Sequence, residues 1–196
     1  VDISPDMLAR AAVSISGSEP ANVLLARADA TQLPLPSGSV DAVICSAALL
    51  YLPVPAALEE WRRILRPGGL VGFSTMQRDN PPSAALFRRL AASYGLPLAD
   101  PSAPLGSAQR CRQVLRTHGF EVRSIASETV RFQAADVEQA WAVHARMYAA
   151  DMRALSQADR ARLEAEYVHA LKEGTLGPSA SVDTAAVLYA FGAPGL

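Results

Sequence analysis

The stretch VDAVICSAALLYLPVPAALEEWRRILRPGGLVGFST, residues 40–75, decides the fold. Val40 to Ser46 is apolar and partly β-branched, which reads as a buried strand. Pro55 to Leu65 carries apolar residues at 57, 58, 61, 64 and 65, a helical spacing. Pro67-Gly68-Gly69 reads as the stop of that helix, and Leu70 to Thr75 as the next strand. A short apolar strand, a helix of about ten residues and a second apolar strand make a βαβ unit, and hence a parallel sheet.

The flanks extend the same alternation. Upstream, Asp2 to Pro5 ends a strand, with Ser4 as cap and Pro5 in the first turn of a helix. That helix runs through Met7, Leu8 and Ala11 and stops near Gly17. Asn22 to Ala28, with Val23, Leu24 and Leu25, reads as a strand, and Thr31 to Ser39 as a Pro- and Gly-bearing loop. Downstream, Ser83 to Tyr94 and Ala108 to His118 read as helices, the second closed by Gly119. Phe120 to Val130 is a strand. Asp136 to Lys172 is a helical stretch broken near Ser156, with Asp159 as a first-turn acid. Thr184 to Gly192 is the last strand.

Composition narrows the function classes. The chain has 196 residues, half of them apolar, 19% charged, and a net charge of −1. That is a globular composition sufficient for one domain and one core, not a disordered chain. The charge balance argues against a broad basic surface for nucleic acid. No run of 18 apolar residues exists, so no membrane span is expected. Cys45 and Cys111 do not make a disulfide framework, and a reducing, cytoplasmic setting fits. No His/Cys/Asp grouping has metal-ligand spacing, so no catalytic metal is expected. The start, Val1-Asp2-Ile3-Ser4, has neither Met nor a signal-peptide pattern. It reads as the end of a strand, so the expectation is a sequence that starts partway through a larger protein.

In a parallel α/β sheet, ligands bind outside the carboxyl ends of the strands. That rule selects Asp2-Ile3-Ser4, Ala28-Asp29-Ala30, Cys45-Ser46-Ala47 and Ser74-Thr75-Met76. An acid at such an end can accept both hydroxyls of a ribose. In their order, VDISPDMLARA followed by ADATQLPLPSGSVDAVICSAALLYLPVPAALEEWRRILRPGGLVGFST, these segments resemble the class I S-adenosylmethionine-dependent methyltransferases. The likeness is to the small-molecule and ubiquinone- and menaquinone-biosynthesis branch. It is dense from residue 1 to about 75, returns in THGFEVRSI and VDTAAVLYAFG, and is loose over 76–107 and 136–172.

The resemblance implies an α/β fold of one domain, 1–196. Its Rossmann-like, mostly parallel sheet is flanked by helices, with an antiparallel last strand and a helical insertion, 134–176, before it. It implies S-adenosylmethionine as cofactor and S-adenosylhomocysteine as product. Asp2 matches the ribose-binding acid, with Ile3 and Met7 packing near the adenine. Asp29 matches the acid facing the adenine amino group, and Ala30 the neighbour whose amide meets the ring. Cys45 and its neighbours would line the methionine part, and Leu50 and Tyr51 would stand near the methyl group. The family's Gly-rich loop after its first strand is absent; that first βα unit, about 30 residues, would precede Val1.

Other readings stand beside these. An Asp after an apolar strand is often a turn residue, which applies to Asp2 and Asp29 alike. Cys45 is equally a buried small hydrophobe. Asp79-Asn80-Pro81-Pro82 echoes a signature of amino methyltransferases acting on nucleic acids or proteins. It follows the wrong strand and lacks the aromatic, so it reads as a turn that starts a helix. Trp141, His144 and Tyr148 recur at helical spacing. They form either a packing face or a substrate-facing wall, and in the second case His144 is a candidate general base. Arg62, Arg63 and Arg66 read as a solvated face, and His169 as solvated.

The expected function is methyl transfer to an O, N, C or S atom of a small-molecule acceptor, without nucleic acid or membrane as partner. The insertion could serve as lid, as the interface of a homodimer, or both. The alternatives are a non-catalytic binding or dimerisation module, which the missing Gly loop favours, and an NAD(P)-dependent oxidoreductase, which shares the ribose-binding acid.

Overall fold

Strand β1 (Val40–Cys45) and strand β2 (Leu65–Met76) pair in parallel around helix α2 (Val54–Ile64). Helix α2 forms where the apolar period is 3.6, and it buries Ala57, Leu58, Trp61 and Ile64. The computed structural model describes residues 1–16, 22–132, 138–173 and 184–195. Pro67-Gly68-Gly69 does not terminate the helix as expected. Helix α2 ends at Ile64, and the tripeptide is an irregularity inside β2, where Val40 pairs with Leu65 but Ala42 already pairs with Leu70. Gly69 is needed there: a Cβ on it would lie 2.9 Å from the Arg66 carbonyl oxygen and 3.0 Å from that of Asp41.

Helix α3 (Pro82–Ser93) follows β2, and helix α4 (Ala108–Thr117) leads into strand β3 (Phe120–Arg131). The Ser107 hydroxyl caps α4 by accepting from the Arg110 amide at 3.2 Å, and Gly119, at φ +77°, ends the turn after it. The stretch expected as two helices is a short helix α5 (Ala140–Met147), a 3₁₀ turn (Asp151–Ala154) and helix α6 (Gln157–Lys172). Its expected start at Asp136 lies outside the described residues. The break falls at Ser156, whose hydroxyl accepts from the Asp159 amide at 3.1 Å.

Strand β4 (Thr184–Pro194) closes the sheet in the order β1-β2-β4-β3. It runs antiparallel to both β2 and β3, so three strands share one direction and the last opposes them. Helix α1 (Pro5–Ser16) begins after Ser4, whose hydroxyl accepts from the Met7 amide at 3.4 Å.

One expected strand is corrected. Asn22 to Ala28 is extended chain with a single parallel bridge, Asp2 to Arg27, made by the Asp2 amide to Ala26 and the Ala28 amide to Asp2. A strand propagates only along a ladder, and the described residues offer this segment one rung. Its apolar side chains stay uncovered, Leu24 to 92%.

Two cores hold the molecule. One lies between the sheet and α2 and α4, around Leu58, Trp61, Phe73, Leu115, Phe120 and Leu188. The other lies among α3, α5 and α6, around Phe87, Tyr148, Met152, Leu163 and Tyr167. No described helix is long and apolar enough to cross a membrane.

Candidate active site

The carboxyl ends of β1 and β2 open into a cavity of about 530 Å³. Beyond Cys45 the chain turns through Ala47, a non-glycine at φ +51° whose amide donates to the buried Ser74 hydroxyl at 2.9 Å. That strained turn, costing about 1–3 kcal/mol, leads into a 3₁₀ turn (Leu49–Tyr51). Leu49 is buried there, while Leu50 and Tyr51 line the cavity. At the end of β2 a second tight turn carries Asp79 at φ +59°. Asn80 ties it down: its side-chain oxygen accepts from the Ala186 amide of β4 at 3.0 Å, and its nitrogen donates to the Arg78 carbonyl at 3.2 Å. Asp79-Asn80-Pro81-Pro82 is thus the turn that starts α3, as read from the sequence.

Helix α3 and helix α5 supply the polar wall. Ser83 and Arg88 of α3 and Val143 and His144 of α5 face the cavity, with Asp100 and Ser102 closing one side. Arg88 is 9% exposed. Its Nη2 reaches Asp79 Oδ1 at 3.1 Å and Asp100 Oδ2 at 3.3 Å. Burial pushes the Asp100 carboxyl up. Hydrogen bonds from the Asp79 and Ser102 amides and the Ser102 hydroxyl, together with the Arg88 charge, outweigh that and hold it below the usual range. Arg88 and Asp100 therefore form a buried, compensated ion pair.

His144 is 5% exposed. Its Nε2 lies 3.4 Å from the Ser83 hydroxyl, and its Nδ1 has no hydrogen-bond partner. Burial first, and the Arg88 charge second, push its pKa down to about 4. The ring is neutral at neutral pH and a weak proton acceptor there, which suits positioning better than base catalysis. Cys45, half-buried, has its thiol pushed up by burial and so stays protonated.

The structure brings together Leu50, Tyr51 and His144 among the residues singled out from the sequence. Trp141 and Tyr148 do not line the cavity. They turn onto Phe87, with ring centroids at 5.4 Å and 5.9 Å, and the Tyr148 hydroxyl donates to the Ala99 carbonyl at 2.8 Å. Trp141 and Tyr148 thus pack within the helical core, and His144 lines the cavity.

Asp2, Ile3, Met7, Asp29 and Ala30 lie outside the cavity, grouped by the bridge between Asp2 and Arg27. Asp2 Oδ1 accepts from the Ser4 amide at 2.8 Å. Asp29 Oδ1 accepts from both the amide and the hydroxyl of Thr31 at 2.8 Å, which holds its carboxyl below the usual range. Trp61 Nε1 donates to the Ala30 carbonyl at 3.0 Å and pins this loop to α2. Ile3 and Met7 are exposed.

Ser83, Arg88 and Asp100 were not singled out from the sequence. A signal for Arg88 exists. In SAALFRRLAAS it falls on the stripe of Ala84, Phe87 and Ala91 that α3 buries, where a lone charge is anomalous. Asp100 carried none, because its partner is set by the loop path after α3.

A mixed sheet with its last strand reversed and a cavity at the carboxyl ends of its parallel strands defines a Rossmann-like α/β protein. Comparison with known proteins agrees. The methyltransferase domain family matches residues 1–73. An uncharacterized chloroplastic methyltransferase of Arabidopsis thaliana is 40% identical over 84 residues, which are 40% of this chain and 24% of that protein. A Bacillus halodurans protein proposed to be a methyltransferase superposes with a TM-score of 0.63 at 17% identity, over 100% of this chain and 81% of its own. Phosphoethanolamine N-methyltransferase 2 of Haemonchus contortus was solved with phosphomonomethylethanolamine and S-adenosylhomocysteine. It superposes with a TM-score of 0.52 at 16% identity, over 100% of this chain and 43% of its own. The sequence likeness to the methyltransferase domain family covers residues 1–73, and beyond them the likeness to solved methyltransferase structures is one of fold alone. The match spans about a quarter of the Arabidopsis relative's length.

Proposed function

We propose that the protein transfers a methyl group from S-adenosylmethionine to an O, N, C or S atom of a small-molecule acceptor held in the cavity. The observation that carries this reading is the cavity itself. At about 530 Å³ it is the size of a small-molecule site, apolar with a few convergent polar groups, and it opens at the carboxyl ends of β1 and β2.

The residues fit the cofactor's polar half in part. Asp2 and Asp29 sit at neighbouring segment ends, and the hydrogen bonds that hold each use Oδ1. Their second oxygens suit a ribose diol and an adenine amino group respectively, while Ala30 is held in place through Trp61. Leu50 would face the methionine portion and Tyr51 the transferred methyl.

When bound, the sulfonium supplies an already activated methyl group and leaves as a neutral thioether. The chain's own work is then to place the acceptor in line and to keep water out. Orientation of this kind contributes up to about 7–11 kcal/mol, and the apolar lining of Leu50, Ala84 and Val143 excludes water. The acceptor atom gives its lone pair to the carbon and loses its proton to solvent or to a weak acceptor such as His144.

Calorimetric titration of the full-length protein with S-adenosylhomocysteine tests this reading. Saturable binding with a one-to-one stoichiometry is expected. Absence of binding at millimolar ligand overturns it and leaves the fold as a binding or dimerisation module.

A further inference from the structure

The charges of the cavity wall cancel among themselves. Arg88 Nη2 meets Asp79 Oδ1 at 3.1 Å and Asp100 Oδ2 at 3.3 Å, and the guanidinium also hydrogen-bonds the Tyr148 oxygen. Asp100 accepts the Ser102 amide and hydroxyl on Oδ1 and the Asp79 amide on Oδ2. The buried charges of Arg88 and Asp100 therefore sum to zero, and His144, with its pKa near 4, adds none at neutral pH. Asp79 is largely exposed and screened by water. The uncharged polar groups are occupied as well. Both side-chain ends of Asn80 are engaged, by Ala186 and Arg78, and the Ser83 hydroxyl stands against His144. Among the described residues, no side chain of this wall offers an ionised ligand a free counter-charge. An ion entering there would give up its water without a partner, at a large cost.

The apolar groups, by contrast, are uncovered. Helix α5 presents Ala140, Val143 and Met147 to the cavity at spacings of three and four, which makes one continuous stripe. Ala140 is buried, whereas Val143 is 42% and Met147 43% exposed. Leu50 and Tyr51 line the same cavity, and Tyr51 is exposed too. Taking such a surface out of water is favourable in proportion to its apolar area.

We propose that the methyl acceptor is an uncharged molecule whose apolar body lies along the stripe of Ala140, Val143 and Met147, and is neither an amine nor an acid. This rests on the methyltransferase reading above and narrows it. A hydroxyl, a thiol or a carbon centre fits as the reacting group beside Tyr51; a protonated amine or a carboxylate does not. Apolar area sets the affinity, and the compensated wall rejects ions.

1-Octanol, octylamine and octanoate, titrated against the full-length protein by calorimetry with and without S-adenosylhomocysteine, test it. 1-Octanol is expected to bind about tenfold tighter than either ion. Lengthening the chain from 1-hexanol to 1-octanol should tighten binding about fourfold per methylene. Two variants at one partly exposed position of the stripe should move the preference in opposite directions. Val143→Lys should shift it about tenfold toward octanoate, and Val143→Asp about tenfold toward octylamine, because each places an uncompensated charge on the stripe.

Octanoate or octylamine binding as tightly as 1-octanol to the unaltered protein overturns the proposal. So does a preference that neither Val143 variant moves, which would put the octyl chain elsewhere than on the stripe. S-adenosylhomocysteine binding without any 1-octanol binding overturns this inference alone. 1-Octanol binding in a protein that ignores S-adenosylhomocysteine would uphold the apolar site and overturn the methyltransferase reading instead.

Discussion

The two cores of this protein are built on different terms. The core between the sheet and α2 and α4 is dry: Leu49, Leu58, Val71, Leu105 and Leu115 are fully buried, and its Cys111 thiol is pushed up to about 11 by burial. The core among α3, α5 and α6 buries aromatic rings around Phe87, and with them Arg88, Ser83 and His144. The first holds the strands at the register that aims their ends. The second buries polar groups at a real cost in stability, and those groups face the cavity. The comparison teaches that the scaffold is sheet-borne and the buried polar groups of the cavity wall are helix-borne.

The largest expected effect sets the two cores against each other directly. Phe87→Ala removes the ring that Trp141, His144, Tyr148 and Tyr167 share, and should cost about 3–5 kcal/mol in urea unfolding. Leu58→Ala in the dry core should cost about 2–5 kcal/mol. A Phe87→Ala cost below that of Leu58→Ala would show that the aromatic core is loosely packed and is not the rigid support of the wall.

Acid should separate the cores next. His144 is held at a pKa of about 4 when folded, against 6.5 when unfolded. A depressed histidine pKa means that the unfolded chain binds the extra proton, so stability is full above pH 6.5 and falls as the pH drops toward 4. The loss is up to about 3 kcal/mol. His144→Asn should flatten unfolding free energy across that window, whereas Leu58→Ala should shift it without changing its slope. An unchanged slope in His144→Asn would remove the histidine from the account.

A smaller effect joins the dry core to the Asp29 loop. Trp61→Phe keeps the packing of α2 but removes the hydrogen bond to the Ala30 carbonyl. It should cost about 1 kcal/mol of stability and weaken S-adenosylhomocysteine binding several-fold by loosening the Asp29 loop. Stability lost without any loss of affinity would separate that loop from the cofactor. Smallest of all, Ser156→Ala should cost about 0.5–1 kcal/mol by uncapping α6, read as a shift in thermal midpoint. Ser156→Asp should restore it.

Residues 40–75 carried the fold in their own pattern. The period of α2, the β-branched run of β1 and the return to apolar residues in β2 are local signals, and the folded chain follows each within a few residues. Ser156 and Gly119 announced helix ends for the same reason: capping is decided by neighbours in sequence. Asn22 to Ala28 misled because its apolar content describes what it would bury, while strandhood depends on a partner that no local pattern records.

By itself, then, the sequence determined the βαβ unit, the reversed last strand through its family likeness, and the carboxyl ends of β1 near Cys45 and of β2 near Thr75. Those follow from periodicity, turn chemistry and motif order, which act over a few residues. Only the tertiary structure decided which faces of α3 and α5 meet over those strand ends. It turned Trp141 and Tyr148 into packing while leaving His144 on the cavity. It also brought Asp100 across to Arg88. The reason is physical: whether a buried arginine or histidine is a structural liability or a binding group depends on which side chains stand opposite it, and folding alone sets that.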